Sequence, residues 1–154
     1  MNESNDQLIT EAVLEVFRAN GSLIAWGDRF AAPFGLTSAR WQMLGALAMA
    51  GAALTTPRIA GQMGVTRQGA RKQLARLQAD GLVRARSNPH HQRSALFELT
   101  DAGAQLYARI DEAWRNHARG LSGDMEPADL QAALRVLRSF QRRHELPADS
   151  GDSQ

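Results

Sequence analysis

Between Arg58 and Arg93 eight side chains are cationic (Arg58, Arg67, Arg71, Lys72, Arg76, Arg84, Arg86 and Arg93) and a single one, Asp80, is acidic. Guanidinium groups at this density suit the holding of phosphates, with which they form paired, charge-assisted hydrogen bonds. The flanks have the opposite balance. Residues 1–57 hold three basic and five acidic side chains, and residues 94–154 hold seven basic and ten acidic, so the net charge of +2 comes wholly from the middle segment. A basic excess confined to one stretch marks a surface that faces phosphate.

Other chemistries find little support. The chain has no G-x-x-x-x-G-K-[ST] loop and no G-x-S-x-G elbow, and no carboxylate and histidine recur at a catalytic spacing, so no enzyme is expected. Cysteine is absent, which excludes disulfides, thiolate metal ligands and a cysteine nucleophile. His90 and His91 are adjacent and diverge in an extended segment. His117 falls near an apolar helical stripe and His144 at a solvated end. None of these makes a zinc site, and neither a metal nor a cofactor is expected.

The elements that must position the basic residues follow from period and punctuation. In "TTPRIAGQM" a Thr cap and Pro57 at the first helical position open a short helix that ends at Gly64. "GVT" makes a three-residue turn, and Thr66 caps a second helix from Arg67 to about Asp80, stopped by Gly81. Ala70, Leu74 and Leu77 fall on one face of it, and Arg67, Gln68, Arg71, Lys72 and Ala75 on the other. Two helices joined in this way form a helix-turn-helix. The first turn of the second helix carries cations where the helix dipole prefers acids, an arrangement that suits an anionic partner. Gln68 can pair bidentately with adenine and Arg71 with guanine in a major groove.

After Gly81 the period changes to two. "LVRARS" and "SALFEL" alternate as antiparallel strands around the tip "NPHHQR". A helix-turn-helix followed by such a hairpin is a winged helix, about residues 38–99, and Arg93 near its tip is placed to enter a minor groove.

Outside this module, Leu8, Ile9, Ala12, Val13, Val16, Phe17, Leu23 and Ile24 predict a first helix from about Gln7 towards Phe30. "AAPFGLT" breaks it, and Thr37 or Ser38 caps a helix carrying Trp41, Leu44 and Leu47. Thr100 caps a further helix with the stripe Leu106, Tyr107, Ile110, Ala113 and Trp114. The last helix is expected to bury Leu130, Ala133, Leu134, Leu137 and Phe140. Residues 1–6 and 146–154 are expected to be disordered. The fold class is mainly α with a small β component.

The order of elements, and above all "GLV" after the recognition helix, then Arg93, five residues and "LTDAG", resembles the MarR family, the multiple-antibiotic-resistance type of bacterial transcription regulator. The likeness covers roughly Leu8 to Phe140. It implies a homodimer joined by its terminal helices, about 7–30 and 101–145, with the recognition helix in the major groove and Arg93 in the minor groove of a palindromic site on double-stranded DNA. Two positions depart from the family pattern: His91 replaces an Asp usual two residues before the wing Arg, and Arg71 stands where Ser is frequent.

The expected function is therefore a sequence-specific regulator, a repressor acting in the cytoplasm. Thr66, Arg67, Gln68, Arg71, Lys72, Arg76, Arg86 and Arg93 are its candidate DNA-binding residues. The resemblance further implies a small aromatic or phenolic effector, for which Trp26, Phe30, Trp41 and Trp114 are the candidate contacts, Phe34 lying beside them. Helical spacing of aromatics fits a packed core as well. The broad apolar stripes of the terminal helices exceed what a compact winged helix covers, which argues for burial against a second copy. A winged helix serving as a protein-interaction adaptor is the alternative; it would show an apolar or acidic outer face where this one is basic. No apolar run is long enough to span a bilayer, and the acidic, polar N-terminus has no signal-peptide pattern.

Overall fold

A computed structural model describes residues 4–145. Six helices and three short strands follow in the order α1 (Asn5–Ala31), α2 (Ser38–Ala50), β1 (Leu54–Thr55), α3 (Thr56–Met63), α4 (Arg67–Ala79), β2 (Val83–Arg86), β3 (Leu96–Leu99), α5 (Asp101–Leu121) and α6 (Pro127–Arg143). The chain divides into two compact units after Glu112, within α5.

Helix α1 begins at Asn5, two residues before the expected start and inside the stretch expected to be disordered. The Ser4 backbone N–H donates to Gln7 Oε1 at 3.1 Å, which satisfies one of the donors a helix start leaves open. The disorder expected of residues 1–3 and 146–154 lies outside the described residues. A single 3₁₀ turn, Ala32–Phe34, ends at Gly35 in the left-handed region and turns the chain into α2. There the Thr37 hydroxyl accepts the Arg40 N–H at 3.3 Å, and the Asp28 carboxylate accepts the Ser38 N–H at 2.8 Å. Helix α3 starts at Thr56, so Pro57 is its second residue rather than its first, still within the turn where a missing N–H costs no hydrogen bond.

The core of the first unit is formed by Met43 and Leu44 of α2, Ile59 of α3, Leu74 and Leu77 of α4, Val83 of β2 and Ile110 of α5, all inaccessible or nearly so. Each large aliphatic side chain fully buried here contributes about 1.5–3 kcal/mol. The strands form one antiparallel sheet with β3 between β1 and β2, in the register Leu54↔Phe97, Val83↔Leu99 and Arg84↔Glu98. The two-residue strand β1 was not expected, because it is too short to show a period. Leu82 precedes the hairpin rather than belonging to it.

One junction ties this frame together. The Thr100 N–H donates to the Leu82 carbonyl at 3.1 Å, and the Thr100 hydroxyl donates to the Gly81 carbonyl at 2.7 Å while accepting the Gly103 N–H at 3.1 Å. Gly103 is buried against the same backbone: a Cβ there would lie 1.9 Å from the Leu82 carbonyl oxygen. The "GLV" and "LTDAG" strings are thus the two halves of one contact.

In the single chain the terminal helices leave much of their apolar stripes open. Leu130, Leu134 and Leu137 of α6, expected to be buried, are 40–47% exposed, and no residue of α6 is buried. On α1, Leu8, Ile9, Phe17, Leu23 and Ile24 are likewise exposed, Phe17 by 70%, and only Gly27 and Ala31 are buried. Of the stripes as read, Ala12, Val13 and Phe140 are half-buried and the larger aliphatic side chains are exposed.

Candidate nucleic-acid interface

Helix α4 owes its position to its ends and one face. The Thr66 hydroxyl accepts the Gly69 N–H at 3.0 Å and caps the start, while Gly64 (φ 64°) makes the turn from α3. Ala70, Leu74 and Leu77 are fully buried against the core. Arg67, Gln68, Arg71, Lys72 and Ala75 are all exposed on the other face. The first turn holds no acid, so the N–H groups and positive end of the helix dipole join Arg67, Arg71 and Lys72 in favouring an anion.

Ion pairing sorts the basic segment into two sets. Asp80, which ends α4, pairs with Arg76 Nε at 3.2 Å and with Arg40 of α2 at 3.5 Å. Glu98 of β3 pairs with Arg84 Nε at 2.8 Å and with Arg86 at 3.8 Å. The hydrogen bond from Arg84 holds the Glu98 carboxyl below its ordinary range, with the charges of Arg86 and Arg84 acting in the same direction. In return the bond to Glu98, then its charge, raises the Arg84 pKa. Among the described residues, no acid pairs with Arg58, Arg67, Arg71, Lys72 or Arg93. Two of the expected DNA-binding residues, Arg76 and Arg86, therefore have carboxylate partners, while among the described residues Arg67, Arg71, Lys72 and Arg93 have none.

The wing tip is built from local backbone bonds. Asn88 Oδ1 accepts the His90 N–H at 3.0 Å, the Asn88 carbonyl accepts the His91 N–H at 3.2 Å, and the His91 carbonyl accepts the Ser94 N–H at 3.2 Å. Arg93, His90 and His91 are exposed. Sequence reasoning overlooked Glu98, the acid that pairs with Arg84 and Arg86. Its signal was the register: once Val83 lies opposite Leu99, Glu98 must face Arg84. Arg40 was overlooked too, since nothing in its local sequence points to α4.

The aromatic residues separate. Trp26 stacks on Phe30 with ring centroids 4.7 Å apart, and Phe30 in turn lies 5.3 Å from Trp41 and 6.4 Å from Phe34. Phe30, Phe34 and Trp41 pack on the buried core, and the Arg109 guanidinium sits 5.7 Å over the Phe34 ring. Trp114 belongs to the second unit, where its ring lies 5.8 Å from that of His117. A separate open cleft in the first unit, of roughly 520 Å³, is lined by Ile24 and Ala39 together with polar residues that include Asp28, Arg40, Lys72 and Arg76, and by none of these aromatics. Among the described residues no group of three or more His, Asp or Glu side chains could hold a metal, and no helix is long and apolar enough to cross a membrane.

Comparison with known proteins agrees with this geometry. The sequence profile described as the MarR family matches residues 34–94. An uncharacterized Mycobacterium tuberculosis protein, Rv2011c, is 38% identical over 130 residues, covering 84% of this chain and 90% of that protein. The crystal structure of the MarR family transcription regulator SP03579 superimposes with a TM-score of 0.73 at 25% identity, covering 90% of each chain. Two more distant structures share the fold. The M. tuberculosis transcriptional regulator MosR, solved with DNA, has a TM-score of 0.71 at 23% identity, over 88% of this chain and 98% of that one. Bordetella bronchiseptica BpsR, whose DNA binding is regulated by 6-hydroxynicotinic acid, has a TM-score of 0.72 at 22% identity, over 85% and 98%.

Proposed function

The chain belongs to the MarR family of transcription regulators, and from that membership we propose that it represses transcription by binding a palindromic operator as a homodimer. The observation that carries this reading is the set of cations without acid partners, Arg67, Arg71 and Lys72 on the exposed face of α4 and Arg93 at the wing tip. Helix α4 enters the major groove, where Gln68 and Arg71 read base edges while Arg67 and Lys72 hold phosphates. The Thr66 hydroxyl, already an acceptor for the helix cap, keeps its own proton to donate to a phosphate. Arg93 enters the flanking minor groove.

Dimerisation is supported by the uncovered apolar faces of α1 and α6. Patches of that extent on a single chain mark an interface. A two-fold dimer sets its recognition helices about one turn of DNA apart, roughly 34–36 Å, which matches a palindrome. An aromatic effector completes the reading: DNA binding by BpsR, of the same fold, is regulated by 6-hydroxynicotinic acid, and here Trp26 stacked on Phe30, with Trp41 tilted beside it, forms an aromatic cluster that suits a flat ring. The place of action is the cytoplasm, where bacterial operator DNA lies.

The test is fluorescence-anisotropy binding of the full chain to duplexes from upstream of its own gene, with shuffled duplexes as controls, over a salt series. Affinity at least about a thousandfold tighter for one duplex, falling steeply with salt, is the expected result. An absence of binding to any duplex even at low salt would refute it.

A further inference from the structure

Glu98 is the sole acid between Gly81 and Leu99, a hairpin that also carries Arg84, Arg86 and Arg93. It faces Arg84 directly across the strands. It is the most covered member of the cluster: its side chain is 24% exposed, against 65% for Arg84 and 55% for Arg86. The carboxylate therefore lies beneath two guanidinium groups that face solvent. A phosphate arriving from outside reaches the arginines first and must compete with Glu98 for them.

We propose that Glu98 is a specificity-determining residue, holding Arg84 and Arg86 back from indiscriminate phosphate contact so that the unpaired cations of α4 and Arg93 dominate recognition. The proposal rests on the DNA-binding reading above and adds a residue that makes no DNA contact of its own. Duplex binding without sequence preference is driven almost entirely by counterion release from phosphates, and each cation engaged adds to it. A cation already neutralised by a carboxylate releases fewer counterions when it engages. An ion pair this exposed is weak enough for a phosphate to displace, so Glu98 tunes the affinity rather than blocking it. The two distances grade the effect: Arg84, at 2.8 Å, is held closely, and Arg86, at 3.8 Å, more loosely.

The experiment measures binding of the full chain to a mixed-sequence duplex of arbitrary sequence and to the upstream duplex, across a salt series, for wild type, Glu98→Gln, Glu98→Asp, Arg84→Gln and the Arg84→Gln/Glu98→Gln double variant. Glu98→Gln is expected to tighten binding to the arbitrary duplex by roughly three- to tenfold near 0.1 M salt. The log–log salt slope is expected to steepen by about 0.9 for each arginine that gains a phosphate. The ratio of upstream to arbitrary affinity should fall, and Glu98→Asp should retain most of the discrimination. Arg84→Gln alone should change arbitrary-duplex binding little, whereas in the Glu98→Gln background it should reverse much of the gain, a coupling that a merely structural role would not produce. Should Glu98→Gln fail to fold, an Arg84→Gln that weakens arbitrary-duplex binding as much as Arg71→Ala does would overturn the proposal by itself. An unchanged or weaker affinity of folded Glu98→Gln for the arbitrary duplex, with wild type binding normally, would overturn it and leave the DNA-binding reading intact. Wild type that binds no duplex at low salt would overturn both.

Discussion

Replacing Gly103 by Ala tests the junction between the recognition helix, the wing and α5. In an open helix this substitution favours folding, because Ala exceeds Gly by about 0.8–1.0 kcal/mol in helix propensity. Here the added Cβ would lie 1.9 Å from the Leu82 carbonyl oxygen and 2.9 Å from its carbon. Both are backbone atoms, so no rotamer change relieves the clash. Opening the contact to even 3.0 Å moves the two segments apart by more than an ångström. That lengthens the 3.1 Å bond from the Thr100 N–H to the same oxygen beyond useful range. Overpacking costs about 1–3 kcal/mol and the lost bond about 1 kcal/mol, against a propensity gain of about 1 kcal/mol, for a net loss of roughly 1–3 kcal/mol. In a chain of this size that lowers Tm by roughly 2–12 °C, read by circular dichroism at fixed protein concentration. Gly61→Ala in α3, where an added Cβ meets nothing within 4 Å, is the control and should raise stability slightly. A Gly103→Ala variant that melts with the wild type, or above it, would refute the steric argument.

Further outcomes follow from the same geometry. Arg71→Ala should weaken operator binding by about 1–3 kcal/mol and relax base preference, while Arg76→Ala, whose cation is engaged by Asp80, should cost less; equal losses in a side-by-side titration would count against the division into free and tethered cations. The Glu98 carboxyl has a folded pKa below its ordinary 4.5, so the stabilisation it gives is fully present above about pH 4.5 and is lost as pH falls through the lowered value. The Tm gap between wild type and Glu98→Gln should accordingly shrink on acidification below that point, and a widening gap would reverse the sign of the argument. Phe17→Glu together with Leu134→Glu should give a folded monomer in analytical ultracentrifugation with much weaker operator binding; an unchanged sedimentation coefficient would remove α1 and α6 from the interface. Thr66→Ala should cost about 1 kcal/mol of stability through the lost cap, measured by urea unfolding.

Much of this architecture is written locally in the chain. The Pro57, Gly64, Thr66 and Gly81 punctuation bounds α3 and α4, and the spacing of Ala70, Leu74 and Leu77 identifies the buried face of α4. These features are legible because each depends on residues within a turn or two. The two-residue strand β1 was hidden because it forms only against β3, far along the chain. The start of α1 was misplaced because its polar first turn has no apolar stripe, only the contact between Ser4 and Gln7. Charge counting located the basic surface without separating Arg71 from Arg76, although the signal was local: Asp80 lies four residues after Arg76 on the same helical face. For Arg84 and Arg86 the carboxylate is more than ten residues away and comes near only through the strand pairing. The stripe of α6 is legible in the sequence as well, and its exposure in the single chain leaves its burial to a second copy, as its spacing alone cannot say which chain covers it.

The bonds that join Thr100 to Gly81 and Leu82 close a loop of fewer than twenty residues, with both ends pinned to the same backbone. Once its ends are fixed, a loop's length enters its closure entropy only logarithmically, so each doubling costs about 0.6 kcal/mol. The tip around His90 and His91 is therefore free to lengthen, shorten or change composition at little energetic cost to the recognition helix behind it. A protein built in this way can explore new minor-groove contacts in the wing while its major-groove reading stays constant.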